Sequence, residues 1–248
     1  MKGIFFARPL EFRLESAAEG LRQGDSLHGN LTVLNQDSQA VSDLRLELAL
    51  AYAVFRRIKT HGPTAYNIIE RQILAEGFKL AAKGNRQAEW QMILPMDAPI
   101  SSKEGSLFLL YGTDLSQAGA FGALDIPVGL ASVLDTFITV CENRFAFKQK
   151  NAKFNKGFAE VVLAVPDHYP SLMELSVRLR LHEGALEVVF LTKAQTLDKK
   201  GTKVNKGEFA HTLPADQVML NPTMPNRPLF QQTIRTVLEG ILPPGALP

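Results

Sequence analysis

Between Gly24 and Val54 large apolar residues return at every second position. Leu27, Leu31 and Val33 mark the first run, and Leu44, Leu46, Leu48 and Leu50 the second. A period of two belongs to a β-strand with one face buried and one in water. The cluster Asn35-Gln36-Asp37-Ser38 supplies the turn between the runs. Gly29 stands in the first run where a bulky side chain would clash. The pair reads as two strands of a β-sandwich, and this constrains the fold more than anything else in the chain.

The same signature recurs on both sides of a short interruption. Leu10, Phe12 and Leu14 alternate with Glu11 and Arg13, and Ala88, Trp90, Met92 and Leu94 run up to Pro95. Leu107–Tyr111 and Ile126–Val128 read as further strands. Residues 66–82 fit a strand or a helix, and a strand is taken. Then Val133, Leu134, Phe137, Ile138 and Cys141 fall at helical spacing. Ser132 and Asp135 stand at capping-box distance, which predicts a helix over about 133–142 and a domain boundary there. Strands resume with Phe145 and Phe147, Phe158–Val165, and Leu175–Leu181 paired with Leu186–Phe190 across a Glu183-Gly184-Ala185 hairpin turn. Residues 212–228 are proline-rich and extended. Pro228 opens and Gly240 stops a final helix with a stripe of Phe230, Ile234, Val237, Leu238 and Ile241.

At 248 residues the chain is long enough for two modest domains, and 46% hydrophobic with 21% charged residues is ordinary for a globular protein. A net charge of +2 argues against nucleic-acid binding. Cys141 is the only cysteine, so no intramolecular disulfide forms, as in a reducing compartment. It reads as a small buried apolar side chain. The N-terminus is no secretory signal, since Arg8 breaks its short apolar run. No stretch is apolar enough to span a bilayer. A cytoplasmic location is expected.

Several of these segments resemble the arrestin-like superfamily. Gly24–Val33 is similar to its strand-opening segment. Ala88–Pro95, followed by Pro99 and Ser101, resembles its strand that ends in Leu-Pro. Leu107–Tyr111 with Asp125–Val128 is similar to the strands closing the N-terminal sandwich. Within that clan the bacterial sporulation-control proteins are nearest, through the helix after residue 130 and the segments Glu174–Val177 and Leu186–Leu191. The resemblance covers about residues 3–195. It implies an all-β chain of two tandem arrestin-like β-sandwich domains, with a short inter-domain helix and a C-terminal helix. The domains are placed at 1–130 and 131–212, with a Pro-rich linker and helix over 213–248. It also implies a non-enzymatic adaptor or regulator, of the stress- or sporulation-control kind. No counterpart of the buried charge network of receptor arrestins is located in the sequence, nor a clathrin-type motif, so phosphoreceptor binding is not carried over.

Chemistry is sparse. Gly24-Asp25-Ser26-Leu27 spells the motif of GDSL esterases. A strand should precede that serine, and a later Asp-x-x-His should supply its base. Neither is present, so the motif reads as a turn launching a strand, with an esterase through Ser26 as the rival. The five histidines show no ligand spacing, and neither cofactor nor metal is expected. Lysines concentrate at Lys148, Lys150, Lys153 and Lys156 and at Lys199, Lys200, Lys203 and Lys206. Residues 1–130 carry a net charge of −1 and residues 131–248 one of +3. These lysines are the candidate surface for an anionic partner, membrane surface or ligand. The bland alternative is solvated loops and protected strand edges. Unknown proteins, a second copy of the chain and a peripheral membrane contact remain as partners.

Overall fold

A computed structural model describes residues 1–17, 19–198 and 201–242, and the chain divides into two compact units, Met1–Gly129 and Leu130–Pro248. The first unit runs β1 (Lys2–Ala7), β2 (Leu10–Ser16), β3 (Ser26–Asn35), β4 (Val41–Val54), α1 (Phe55–His61), a 3-10 turn, β5 (Tyr66–Leu80), β6 (Asn85–Ile93), β7 (Gly105–Gly112) and β8 (Phe121–Ile126). Two antiparallel sheets of four strands result, ordered β1-β2-β3-β6 and β5-β4-β7-β8.

The period-two residues meet between these sheets. Leu14, Leu27, Leu31 and Met92 from one pack with Leu46, Leu48, Leu50, Leu107 and Leu109 from the other. A fully buried side chain of this size stabilises by about 1.5–3 kcal/mol, so this row dominates the unit's stability. Strand β7 is buried along its whole length, because the outer face of its sheet is covered too. There Ala49, Ala51 and Ala53 leave room for a second small cluster. Phe108 receives the edges of Phe55 and Tyr66 at ring-centroid distances of 6.2 and 5.5 Å.

The second unit comprises α2 (Ser132–Phe145), β9 (Lys148–Asn155), β10 (Phe158–Ala164), β11 (Leu172–His182), β12 (Ala185–Asp198), β13 (Gly201–Leu213), α3 (Ala215–Val218), the short β14 (Met219–Asn221) and β15 (Met224–Pro225), and α4 (Arg227–Ile241). Five antiparallel strands form one sheet in the order β13-β12-β11-β10-β9. Its apolar face carries Val161, Leu163, Val177, Leu179, Val188 and Phe190. Helices supply the layer over that face. Phe137 of α2 lies 6.1 Å from Phe190 and 5.3 Å from Phe230 of α4, measured between ring centroids. The chain is thus mostly strand, with one helix opening its second unit and another near its C-terminal end. In the second unit the covering layer is helical.

Local signals resolve in detail. Glu183 and Gly184 close the β11–β12 hairpin with φ of 50° and 80°, the left-handed pair of a two-residue turn. Helix α2 starts at Ser132 with Ala131 as its cap and no side-chain capping bond, so the Ser132–Asp135 capping box does not form. Helix α4 is capped by Asn226, whose Oδ1 accepts from the Leu229 N–H at 3.2 Å, and Pro228 sits inside the first turn. The helix runs one residue past Gly240. The Leu242 N–H reaches the Leu238 carbonyl at 2.8 Å, and buried Leu242 anchors that last turn. No helix is long and apolar enough to cross a membrane, among the described residues.

Candidate functional site

The described candidate lysines lie at two opposite edges of the second unit's sheet. Lys148, Lys150 and Lys153 belong to β9, and Lys156 sits in the β9–β10 turn at φ 50°, beside Gly157 at φ 82°. Lys203 and Lys206 belong to β13. Three strands intervene, so the two sets stand about 19 Å apart at about 4.8 Å per strand. Lys199 and Lys200 fall outside the described residues. The pleat divides the β13 pair as well, since Lys203 and Lys206 face opposite sides of the sheet.

Strand β9 turns its lysines outward in an irregular way. The register steps from Asn151↔Val162 to Gln149↔Leu163, leaving Lys150 in a bulge. Lys153 stays in the ladder and reaches Glu160 at 3.5 Å. Lys148, Lys150 and Lys156 are exposed, with no ion-pair partner among the described residues.

On the sheet's wet face opposite charges meet across the strands. Glu160 takes a hydrogen bond from Arg178 Nε at 2.8 Å and one from Asn155 Nδ2 at 2.9 Å. Arg180 pairs with Glu187 at 2.6 Å, and Lys193 with Glu174 at 2.8 Å. Burial pushes the Glu160 carboxyl up, but the bonds from Arg178 and Asn155 and the charge of Lys153 outweigh it. Its pKa therefore lies below the ordinary carboxylate value. Beside this ladder a shallow depression of about 520 Å³ crosses β11, β12 and β13, bordered by Glu174, Lys193, Lys206 and Glu208. Of the candidate lysines, only Lys206 lines it. Acids balance its cations, so it has no bias toward an anion.

Ser26 opens β3 and is exposed. Its Oγ accepts from Gln91 Nε2 at 3.1 Å, where a hydrolase would need a histidine. The neighbouring Asp25 carboxylate accepts the Arg22 N–H at 2.7 Å, closing the turn. His28 and His182 are exposed. His168 packs on the Tyr169 ring at 4.1 Å, and His211 presents an edge to Phe190. Among the described residues no three His, Cys, Asp or Glu side chains gather as metal ligands. Cys141 is fully buried, and desolvation pushes its thiol far above its usual pKa.

Two features escaped the sequence reading. The first is a buried carboxylate, Glu47, only 1% exposed. It meets Arg71 Nη2 at 2.5 Å and Arg45 Nε at 2.7 Å, and accepts the Leu115 N–H at 3.3 Å. It pins the β7–β8 loop to the sheet, so its role is structural. The second is β1, an edge strand whose outer face holds Ile4 at 62% and Phe6 at 63% exposure. Charged neighbours surround the two. Lys2 pairs with Glu15 at 2.8 Å, and Arg13 with Glu11 at 2.6 Å.

No protein-family model matches the chain, and no curated protein matches it. Among solved structures it is similar to the sporulation control protein Spo0M from Bacillus subtilis. The TM-score is 0.67 and the identity 14%, over 94% of this chain and 98% of that one. Two further matches are an alkylpurine DNA glycosylase from Pseudomonas fluorescens and a β-glucosidase from Listeria innocua. The first has a TM-score of 0.32 and 11% identity over 48% of this chain and 30% of that one. The second has a TM-score of 0.31 and 15% identity over 48% and 16%. Neither is close enough to bear on this protein. The chain has the fold of the sporulation control protein, an arrestin-like fold, across nearly its whole length.

Proposed function

We propose that this protein is a non-enzymatic regulator that binds protein partners by strand addition at β1. One observation carries the reading: β1 is an unbulged edge strand with two large apolar side chains in water. An open edge offers main-chain hydrogen bonds, and Ile4 and Phe6 supply side-chain contacts for an extended peptide. Two of the other edges are interrupted in ways proteins use to prevent pairing. Strand β9 carries lysines and a bulge, and β5 shifts register against β4 four times. The likeness to a protein named for sporulation control supports a regulatory role, and the exposed Ser26, whose hydroxyl is bonded to the Gln91 amide rather than to a histidine, supports a reading without hydrolytic chemistry.

Affinity purification from the native cell tests this, comparing wild type with an Ile4→Lys/Phe6→Lys double variant. Partners retained by wild type should be lost by the variant, with little change in melting temperature because both side chains are exposed. Identical partner sets would contradict the reading, as would fluorophosphonate labelling that disappears in Ser26→Ala.

A second reading rests on exposed, unpaired Lys148, Lys150 and Lys156 at the β9 edge. They would bring that edge to an anionic membrane. Co-sedimentation with anionic liposomes at low salt, lost at high salt, is the expected result; no low-salt binding removes this reading.

A further inference from the structure

One cavity in the second unit gathers cations and hydrogen-bond donors without any carboxylate. It lies between the last turns of α2 and the first turn of α4 and holds about 320 Å³. Thr139, Asn143, Arg144, Arg227 and Gln231 give it five polar side chains, and Val140 and Pro228 complete the wall. We infer that this cavity binds the phosphate group of a small phosphorylated molecule.

The charge state of the two arginines is the first argument. Arg45, Arg71, Arg178 and Arg180 each pair with a glutamate. Arg144 and Arg227 have no ion pair or hydrogen bond from their guanidinium groups among the described residues. Two permanent positive charges lining one cavity repel each other until an anion enters. A phosphate monoester carries close to two negative charges at neutral pH and matches them.

Geometry is the second. Guanidinium forks bind phosphate oxygens through paired N–H donors. The amides of Asn143 and Gln231 and the Thr139 hydroxyl add donors that suit the remaining oxygens. The arginines ride on helices held together by the Phe137–Phe230 contact at 5.3 Å, so the wall is placed by packed elements. The backbone at the start of α4 adds little. Pro228 has no N–H, and the Leu229 N–H is already taken by Asn226.

Size is the third. The cavity lies at the lower end of the range of about 300–1,000 Å³ for small-molecule sites. It has room for more than inorganic phosphate. Arg144 and Arg227 are 83 positions apart in sequence, outside both lysine clusters, so only the fold brings them together. The site shares no residue with β1, and the two proposals stand or fall separately.

The test is an amide NMR titration of the full chain with inorganic phosphate and with glycerol phosphate, at constant ionic strength set by chloride. Saturable shifts should concentrate at residues 139–144 and 227–231. Arg144→Gln and Arg227→Gln should each weaken binding by about tenfold, the loss of one charge-assisted contact. Arg235→Gln, an exposed control on α4 outside the cavity, should leave it unchanged. All three positions are exposed, and each variant's dispersed spectrum verifies its fold. A parallel arm uses phosphatidic-acid vesicles. Co-sedimentation abolished by the same two variants assigns the phosphate to a lipid headgroup, and glycerol phosphate binding without it assigns a free solute. No saturable shift with either probe and no variant-sensitive vesicle binding would overturn the proposal. So would binding that both arginine variants retain.

Discussion

At Gly29 a methyl group would not fit. An ideal Cβ there would lie 1.9 Å from the Glu15 carbonyl oxygen and 2.9 Å from Cζ2 of Trp90. The indole packs across the space that the missing side chain leaves in β3, opposite its own register partner. Gly29→Ala should therefore destabilise the protein by about 1–3 kcal/mol, read as a lower urea midpoint with an unchanged m-value. The need for a small residue at this place was legible, because a glycine interrupts an otherwise apolar alternation. Cys141 was legible too. Its burial predicts no alkylation by iodoacetamide in the native protein and full alkylation in urea, followed by mass spectrometry. Glu47 was not. One acid in an alternating strand looks like any solvated residue, and its partner Arg71 arrives from a strand whose bulged register no period reveals.

The alternating segments at 10–14, 27–33, 44–54, 88–94 and 107–111 are strands as expected, whereas helix α1 gave no sign, Phe145 ends α2 instead of opening a strand, and the stretch 212–228 expected to be extended contains α3. Strands β2, β3 and β6 alternate because each has one dry face. Strand β7 is buried throughout because α1 and Tyr66 cover its second face. The sign of that cover was present in Ala49, Ala51 and Ala53, small residues on the supposedly wet face of β4. The helix itself, Phe55–His61, lacks the length to show a period. Helix α4 shows its stripe plainly, and Phe230 at its start is fully buried against Phe137. Phe230→Ala should cost about 3–5 kcal/mol, measured by chemical denaturation of the full chain. The wet face of the second unit's sheet adds a pH dependence. Glu160 has a lower pKa folded than unfolded, so its contribution is fully present above the ordinary carboxylate value of 4.5 and is lost as pH falls below it. Wild type should lose melting temperature more steeply than Glu160→Gln on descending from pH 5 to about pH 3.

Across the whole molecule, the arrestin-like plan was legible and the working surface was not. Plan survives at 14% identity because it depends on where apolar residues recur, which many sequences satisfy. Surface depends on tertiary neighbours. The eight candidate lysines form two groups in sequence, yet the described ones sit on opposite edges of a sheet. The exposure of Ile4 and Phe6 follows from β1 lying at an edge, and nothing in Lys2–Ala7 alone says that it does. In β1 the hydrogen-bonded pairing of Met1 with Ser16 leaves the amides of Lys2, Ile4 and Phe6 directed at the open edge. Hydrogen–deuterium exchange of the complex recovered from the native cell measures those amides directly. Strand addition predicts that exchange at Lys2, Ile4 and Phe6 slows markedly on binding. Unchanged exchange in β1, with protection appearing elsewhere, would contradict it.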